Sequence, residues 1–263
     1  AGKLIQGKPA MIPEDEAGKG EKRELLPPSV SLDLAREIVK KVREAKRPVI
    51  NAGNGIRIGK AFDVFQRVVE MLGIPVVTGW NSLDCMYDSH PLYVGRAGHM
   101  GDRPGNFAVQ NCDLLLSLGS RLSIRQVGYN YPTWAREAYV IYNDIDAEEL
   151  KKPTVHVDMP VHADAKDLME TMAAVLREEY DKKPVFDGGE GLPGMTWSET
   201  CRMYREKYPT IRKEQLKPDP DHEANVYAVI EAISSRLSED QITVVGNGSA
   251  CVVGGHGYIM KKG

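Results

Sequence analysis

Five stretches of this 263-residue sequence place phosphate- or ribose-binding groups at or after apolar runs, where a parallel sheet presents its ligand-binding edge. Gly53-Asn54-Gly55-Ile56-Arg57-Ile58-Gly59 comes close to the glycine fingerprint of dinucleotide-binding turns, with three residues instead of two before its last glycine. The next apolar run ends Val77-Thr78-Gly79, so the carboxylate that holds ribose hydroxyls in a standard nicotinamide site is missing. Gly53 and Gly55 would equally serve a tight strand-to-helix turn. A glycine-spaced stretch from Val94 to Asn106 carries Arg96, His99 and Arg103; it reads as a loop that lets backbone approach a ligand, or as a solvated loop with glycine hinges. Gly119-Ser120-Arg121-Leu122-Ser123-Ile124-Arg125 puts two arginines where a diphosphate would be held, or where they would make surface ion pairs. Asp144-Ile145-Asp146 and His162-Ala163-Asp164-Ala165 follow two further runs, as ribose ligands or as helix N-caps. No Ser/His/Asp or Cys/His order and no His-x-x-x-His spacing marks a nucleophile or a metal site.

Those turns require strands and helices to hold them. Ser31 caps an amphipathic helix carrying Leu34, Ala35, Ile38, Val39 and Val42, and Pro48 to Asn51 starts a strand. Phe62, Phe65, Val68, Val69 and Leu72 form the buried stripe of a helix closed by Gly73. Further strands are read at Ile74 to Thr78, Asp113 to Leu118, Tyr139 to Asn143 and Thr154 to Val157, and a helix over Asp164 to Glu179. Continuous apolar strands bounded by glycine need cover on both faces, which predicts an α/β fold: a Rossmann-like, doubly wound, mainly parallel sheet of five or six strands.

Composition shifts divide the chain into a charged, Gly/Pro-containing linker over 1–28, a Rossmann-like domain over 29–180, and a connector over 181–218 that holds a polar helix near Thr196 to Lys207. Residues 219–263 read as the incomplete start of a second α/β unit: a helix with Val226, Ile230 and Ile233, a strand over Gln241 to Val245, then a glycine turn into a small-residue helix.

The 34 Lys and Arg against 37 Asp and Glu, a net charge of −3, lack the basic face a nucleic-acid partner requires. Cys85, Cys112, Cys201 and Cys251 are scattered, which predicts reduced thiols, and the N-terminal residues form no signal-peptide core, so the chain reads as cytoplasmic. The uncharged stretch from Gln241 to Met260 is broken by five glycines, Asn247 and His256, and is no membrane helix.

Taken in order, PVINAGNG, IPVVTG, HPLYVGRAGHMGDRPGN, NCDLLLSLGSRL, YVIYNDID and VHADA resemble the central domain of thiamine-diphosphate-dependent enzymes of the acetolactate synthase type. The likeness covers about residues 30 to 180, and residues 219–263 resemble the opening of that family's third domain. It implies a six-stranded Rossmann-like unit that holds FAD or ADP in some members, with contacts falling on Gly53, Asn54, Gly55, Thr78, Gly98, Met100, Gly101, Gly119, Arg121, Arg125, Asp144 and Asp164. It also implies a parent enzyme that uses thiamine diphosphate and magnesium on a 2-keto acid, as a homodimer or homotetramer. The family's catalytic glutamate and magnesium motif lie outside this stretch, so the chain alone is expected to be inactive.

Three positions depart from the FAD-binding members: Ser123-Ile124 stands for two aspartates, Ala163 for glycine, and Gly98-His99-Met100-Gly101 for a Gly-Met-His-Gly order. The sequence thus leaves open FAD, ADP or nothing in the central domain. It also leaves open a non-catalytic nucleotide-binding or scaffold module and a nicotinamide-dependent oxidoreductase.

Overall fold

The computed structural model describes residues 27–179, 183–217, 221 and 223–261. Of the linker expected over 1–28, only Pro27 and Pro28 fall within that range. In chain order the elements are α1 (Leu32–Glu44), β1 (Pro48–Ala52), α2 (Gly55–Ile58), α3 (Phe62–Leu72), β2 (Val76–Thr78), β3 (Tyr93–Arg96), α4 (Arg103–Asn111) and β4 (Leu114–Leu118). They continue with α5 (Ile124–Val127), β5 (Tyr139–Asp144), β6 (Met159–His162), α6 (Ala165–Glu179), α7 (Trp197–Lys207), α8 (Val226–Arg236) and α9 (Ser249–Gly257).

The six strands form one all-parallel sheet in the order β3-β2-β1-β4-β5-β6. From β1 the chain moves one way along the sheet to β2, and from β3 it crosses the other way to β4. Right-handed crossovers therefore put α3 and α4 on opposite faces. Helices α1, α3 and α6 pack together as one layer, and α4 with α7 as another. Central strands β1 and β4 are buried at every residue, as strands covered on both faces must be.

Local signals explain the helix ends. The Ser31 hydroxyl accepts from the Leu34 N–H, and Gly73, at φ 71°, ends α3 in the left-handed conformation. Thr196 and Glu199 form a reciprocal capping box that starts α7. Helix α7 packs on the sheet domain through Trp197, which is buried and donates its indole N–H to the Pro48 carbonyl at 3.0 Å. No helix among the described residues is long and apolar enough to cross a membrane.

Three expected elements are corrected. Thr154 to Val157 forms no strand; the sixth strand lies at Met159–His162, in register with Ile141 to Asp144. Pro160 is tolerated there because β6 is an edge strand, where a missing N–H can face outward. The stretch from Val94 is not all loop: Tyr93–Arg96 is the other edge strand, and Arg103 to Asn106 opens α4 behind an Asp102 cap. Gln241 to Val245 forms no strand, and Ile242 and Val244 stand 83% and 90% exposed. A strand exists only through its ladder of hydrogen bonds, and no described residue supplies a partner for this one.

At the centre of the sheet the turns leaving β1 and β4 touch backbone to backbone. The Gly53 N–H donates to the Leu118 carbonyl and the Gly55 N–H to the Gly119 carbonyl, both at 2.9 Å. A Cβ on Gly53 would lie 2.2 Å from Ser120 Cα, and one on Gly55 2.8 Å from Gly119 Cα. We therefore expect Gly53→Ala to lower unfolding free energy by about 1–3 kcal/mol in urea titrations, the usual cost of overpacking a filled site. Gly246→Ala, which meets open space, should change it by less than about 0.5 kcal/mol. Trp197→Ala should cost about 3–5 kcal/mol in the same assay, since it empties a buried site and leaves the Pro48 carbonyl unpaired.

Candidate functional site

Beyond the glycine contact, the turns after β1, β4, β5 and β6 diverge and leave a cavity of about 640 Å³ at the carboxyl ends of the strands. It sits where the strand order reverses, between β1 and β4, the position at which open parallel sheets bind ligands. Of the residues expected from the sequence, Gly53, Asn54, Gly55, Gly119, Arg121, Arg125, Asp144 and Asp164 line this cavity. Thr78, Gly98, Met100 and Gly101 do not line it.

Thr78 ends β2 fully buried, with its hydroxyl 3.4 Å from that of Tyr93. A side chain so enclosed cannot reach a ribose in the cavity. Gly98 and Gly101 act one layer back. The Gly98 N–H donates to Asn106 Oδ1 at 2.9 Å, and the neighbouring His99 N–H donates to the Arg125 carbonyl at 2.8 Å. A Cβ on Gly98 would meet that carbonyl at 2.5 Å, and one on Gly101 would meet the Arg96 carbonyl at 2.2 Å. This loop therefore props up α5, which carries Arg125, while half-buried Met100 lies between the two glycines.

The cavity has two poles. Arg121 and Arg125 come from the turn after β4, and both are exposed. Asp144 ends β5, Asp146 and Glu149 follow it, and Asp164 follows β6. The carboxylates also organise their own turns. Asp144 accepts from the Tyr142 hydroxyl at 2.9 Å and the Asp146 N–H at 3.0 Å, one bond to each oxygen. Burial, followed by the Asp144 charge, pushes the Tyr142 phenol up, so it stays protonated and keeps donating. Asp164 Oδ1 accepts from the Lys166 N–H at 2.7 Å and holds the start of α6. Each carboxylate retains lone pairs for a second donor, such as a ribose hydroxyl.

Sequence reasoning missed the floor of the site. Gln126 Nε2 donates to Asn51 Oδ1 at 2.9 Å, Asn51 Nδ2 donates to Ser117 Oγ at 3.0 Å, and Ser117 shares a 2.7 Å hydroxyl contact with Ser120. The chain runs from the centre of the sheet to the cavity wall, where Gln126 and Ser120 both lie. Its signal was one polar residue inside each of two apolar runs, Asn51 in PVINA and Ser117 in LLLSL. Trp80, Asn81 and Ser82 were also missed; the Ser82 hydroxyl bonds to the Ala52 carbonyl at 2.7 Å and brings that loop to the cavity edge. Asn143, wholly buried at the cavity wall, donates to the Val161 and Ala163 carbonyls and leaves its Oδ1 without a partner among the described residues.

Comparison with known proteins agrees with this architecture. The family model described as thiamine pyrophosphate enzyme, central domain, matches residues 35–172, more than half of the chain. A probable acetolactate synthase large subunit of Methanococcus aeolicus is 36% identical over 190 residues, covering 69% of this chain and 31% of the relative. Its counterpart in Methanocaldococcus jannaschii is 37% identical over 141 residues, 54% of this chain and 24% of the relative. The acetolactate synthase large subunit of Corynebacterium glutamicum is 32% identical over 226 residues, 83% of this chain and 33% of the relative. The chain thus spans about a quarter to a third of the length of these relatives. With a matched central domain, a six-stranded parallel sheet and a cavity at its switch point, the chain belongs to the thiamine pyrophosphate enzyme family.

Proposed function

We propose that the cavity binds ADP, free or as the ADP half of FAD, and that this chain is the nucleotide-binding middle of a thiamine-diphosphate-dependent 2-keto acid decarboxylase or carboligase. The separation of charge within the cavity carries this reading: two guanidinium groups on the β4 side suit a diphosphate, and carboxylates on the β5 and β6 side suit ribose hydroxyls. Ile58 and Ile145 line the same cavity with exposed side chains and offer apolar faces to a purine ring. A nicotinamide site lacks its acid: the residue at that position, Thr78, carries no carboxylate and is buried away from the cavity.

The parent enzyme would form a homodimer or homotetramer and use thiamine diphosphate with magnesium, which supplies an electron sink for the carbanion left by decarboxylation. Among the described residues no group of three or more His, Cys, Asp or Glu could hold a metal ion. The decarboxylation chemistry is accordingly not assigned to any residue of this chain. What these residues supply is a bound nucleotide and a rigid sheet between neighbouring parts of the parent. A scaffold without a ligand is the second reading, and the glycine contact favours it, since Gly53, Gly55 and Gly119 are already required by one another.

Calorimetry separates the two. Saturable heat with ADP supports the nucleotide site, and no heat with either ADP or FAD leaves the scaffold. Arg125→Leu should weaken ADP on the order of tenfold by removing a charge-assisted bond, with adenosine binding unchanged. The 263-residue chain should show no pyruvate turnover when thiamine diphosphate and magnesium are added; measurable turnover would overturn its placement as a non-catalytic middle.

A further inference from the structure

We propose that Glu149 and Lys152 form a clamp that presets Arg121 to receive a phosphate group, which makes them positioning residues for the cavity; this rests on the nucleotide reading above. Both follow β5, on or beside the 3-10 turn Glu149–Lys151, and neither belongs to the motifs that suggested the site.

Arg121 is held at two points. Glu149 Oε1 accepts from its Nε at 2.7 Å, and the Lys152 ammonium donates to its main-chain carbonyl. The two clamp residues are tied to each other, with Lys152 Nζ 2.6 Å from Glu149 Oε2. Both are largely buried, whereas the Arg121 side chain is 74% exposed. The backbone being held is a costly one: Arg121 and Leu122 stand consecutively at φ 58° and 40°, a left-handed conformation that residues with a Cβ rarely adopt. Such a conformation persists where surrounding contacts over-determine it, and the Lys152 bond to the Arg121 carbonyl is one of those contacts.

The way Glu149 grips the guanidinium decides what the clamp does. A carboxylate competing with ligand would take the two terminal nitrogens in a fork. Glu149 takes the Nε edge, and neither Nη1 nor Nη2 bonds to another described residue, so the fork that recognises phosphate stays available. Lys152 neutralises the Glu149 charge, so the three residues together present one net positive charge to the cavity. The Lys152 bond, with Arg121 beside it, holds the Glu149 carboxyl below the usual carboxylate range, which keeps the clamp ionised at neutral pH.

The test measures ADP and adenosine affinities of the 263-residue chain by calorimetry, for the wild type and for Glu149→Ala, Glu149→Gln and Lys152→Met. Preset recognition predicts that Glu149→Ala weakens ADP on the order of tenfold while adenosine is unchanged. Glu149→Gln, which keeps an oxygen for Nε, should lose less, and Lys152→Met should shift ADP alone in the same direction. Unchanged or tighter ADP binding in Glu149→Ala overturns the clamp, as does equal weakening of ADP and adenosine, which would mark a purely structural role. A wild-type chain that binds neither ligand overturns the nucleotide reading and the clamp with it. Should Glu149→Ala fail to fold, the Gln and Met variants carry the same comparison.

Discussion

Between the turn that leaves β1 and the turn that leaves β4 there is no room for a side chain, and most of what the molecule presents at that edge follows from this. The two strands are neighbours in the sheet, yet their continuations diverge: α3 leads from β1 to one face, and the chain after β4 runs toward β5. Where they separate, Gly53, Gly55 and Gly119 let the backbones meet through N–H to carbonyl bonds of 2.9 Å. Past that contact the strands' continuations separate, and the cavity opens there. The glycines thus place the cavity by meeting each other, whether or not they also touch a ligand.

The polar chain beneath this contact is its counterpart inside the sheet. Asn51 and Ser117 stand opposite each other in adjacent parallel strands, fully buried, and their hydrogen bond passes outward to Gln126 on one side and Ser120 on the other. Buried polar groups are costly when unpaired and rigid when fully paired, so this chain ties the register of β1 and β4 to the position of α5. The loop from Gly98 to Gly101 reaches α5 from the far side through the Arg125 carbonyl. Arg125 is therefore placed by two sets of contacts that never touch its guanidinium.

Many side chains at the cavity hold structure and offer binding capacity at once. Asp144, Asp146 and Asp164 each cap the turn that follows their strand, as the common role of such aspartates predicts, and each still turns toward the same space. The choice posed by the sequence between cap and ligand is not exclusive, because a carboxylate has more acceptor sites than one or two N–H groups use. The same holds for Arg121: an ion pair with Glu149 exists, as a surface reading would have it, but it engages only one edge of the guanidinium.

By itself the sequence determined the class of fold, the central strands and the major helices, and eight of its twelve expected contact residues border the cavity. Those features rest on local chemistry: apolar runs long enough to be covered on both faces, a 3.6-residue stripe, a capping serine, a glycine at a helix end. Only tertiary structure decided the edges. Tyr93–Arg96 and Met159–His162 are strands because β2 and β5 offer them ladders, despite Gly95 and Pro160, whereas the β-branched TVHV and QITVV segments have no such partner among the described residues and form no strand. Tertiary structure also withdrew Thr78, Gly98 and Gly101 from the cavity wall and brought Gln126, Glu149 and Trp80 to it. Sequence spacing records which residues follow a strand, but which of them face a ligand depends on how loops from distant parts of the chain stack. That stacking is set by backbone contacts such as Gly53 on Ser120, which leave no trace in residue type beyond a glycine.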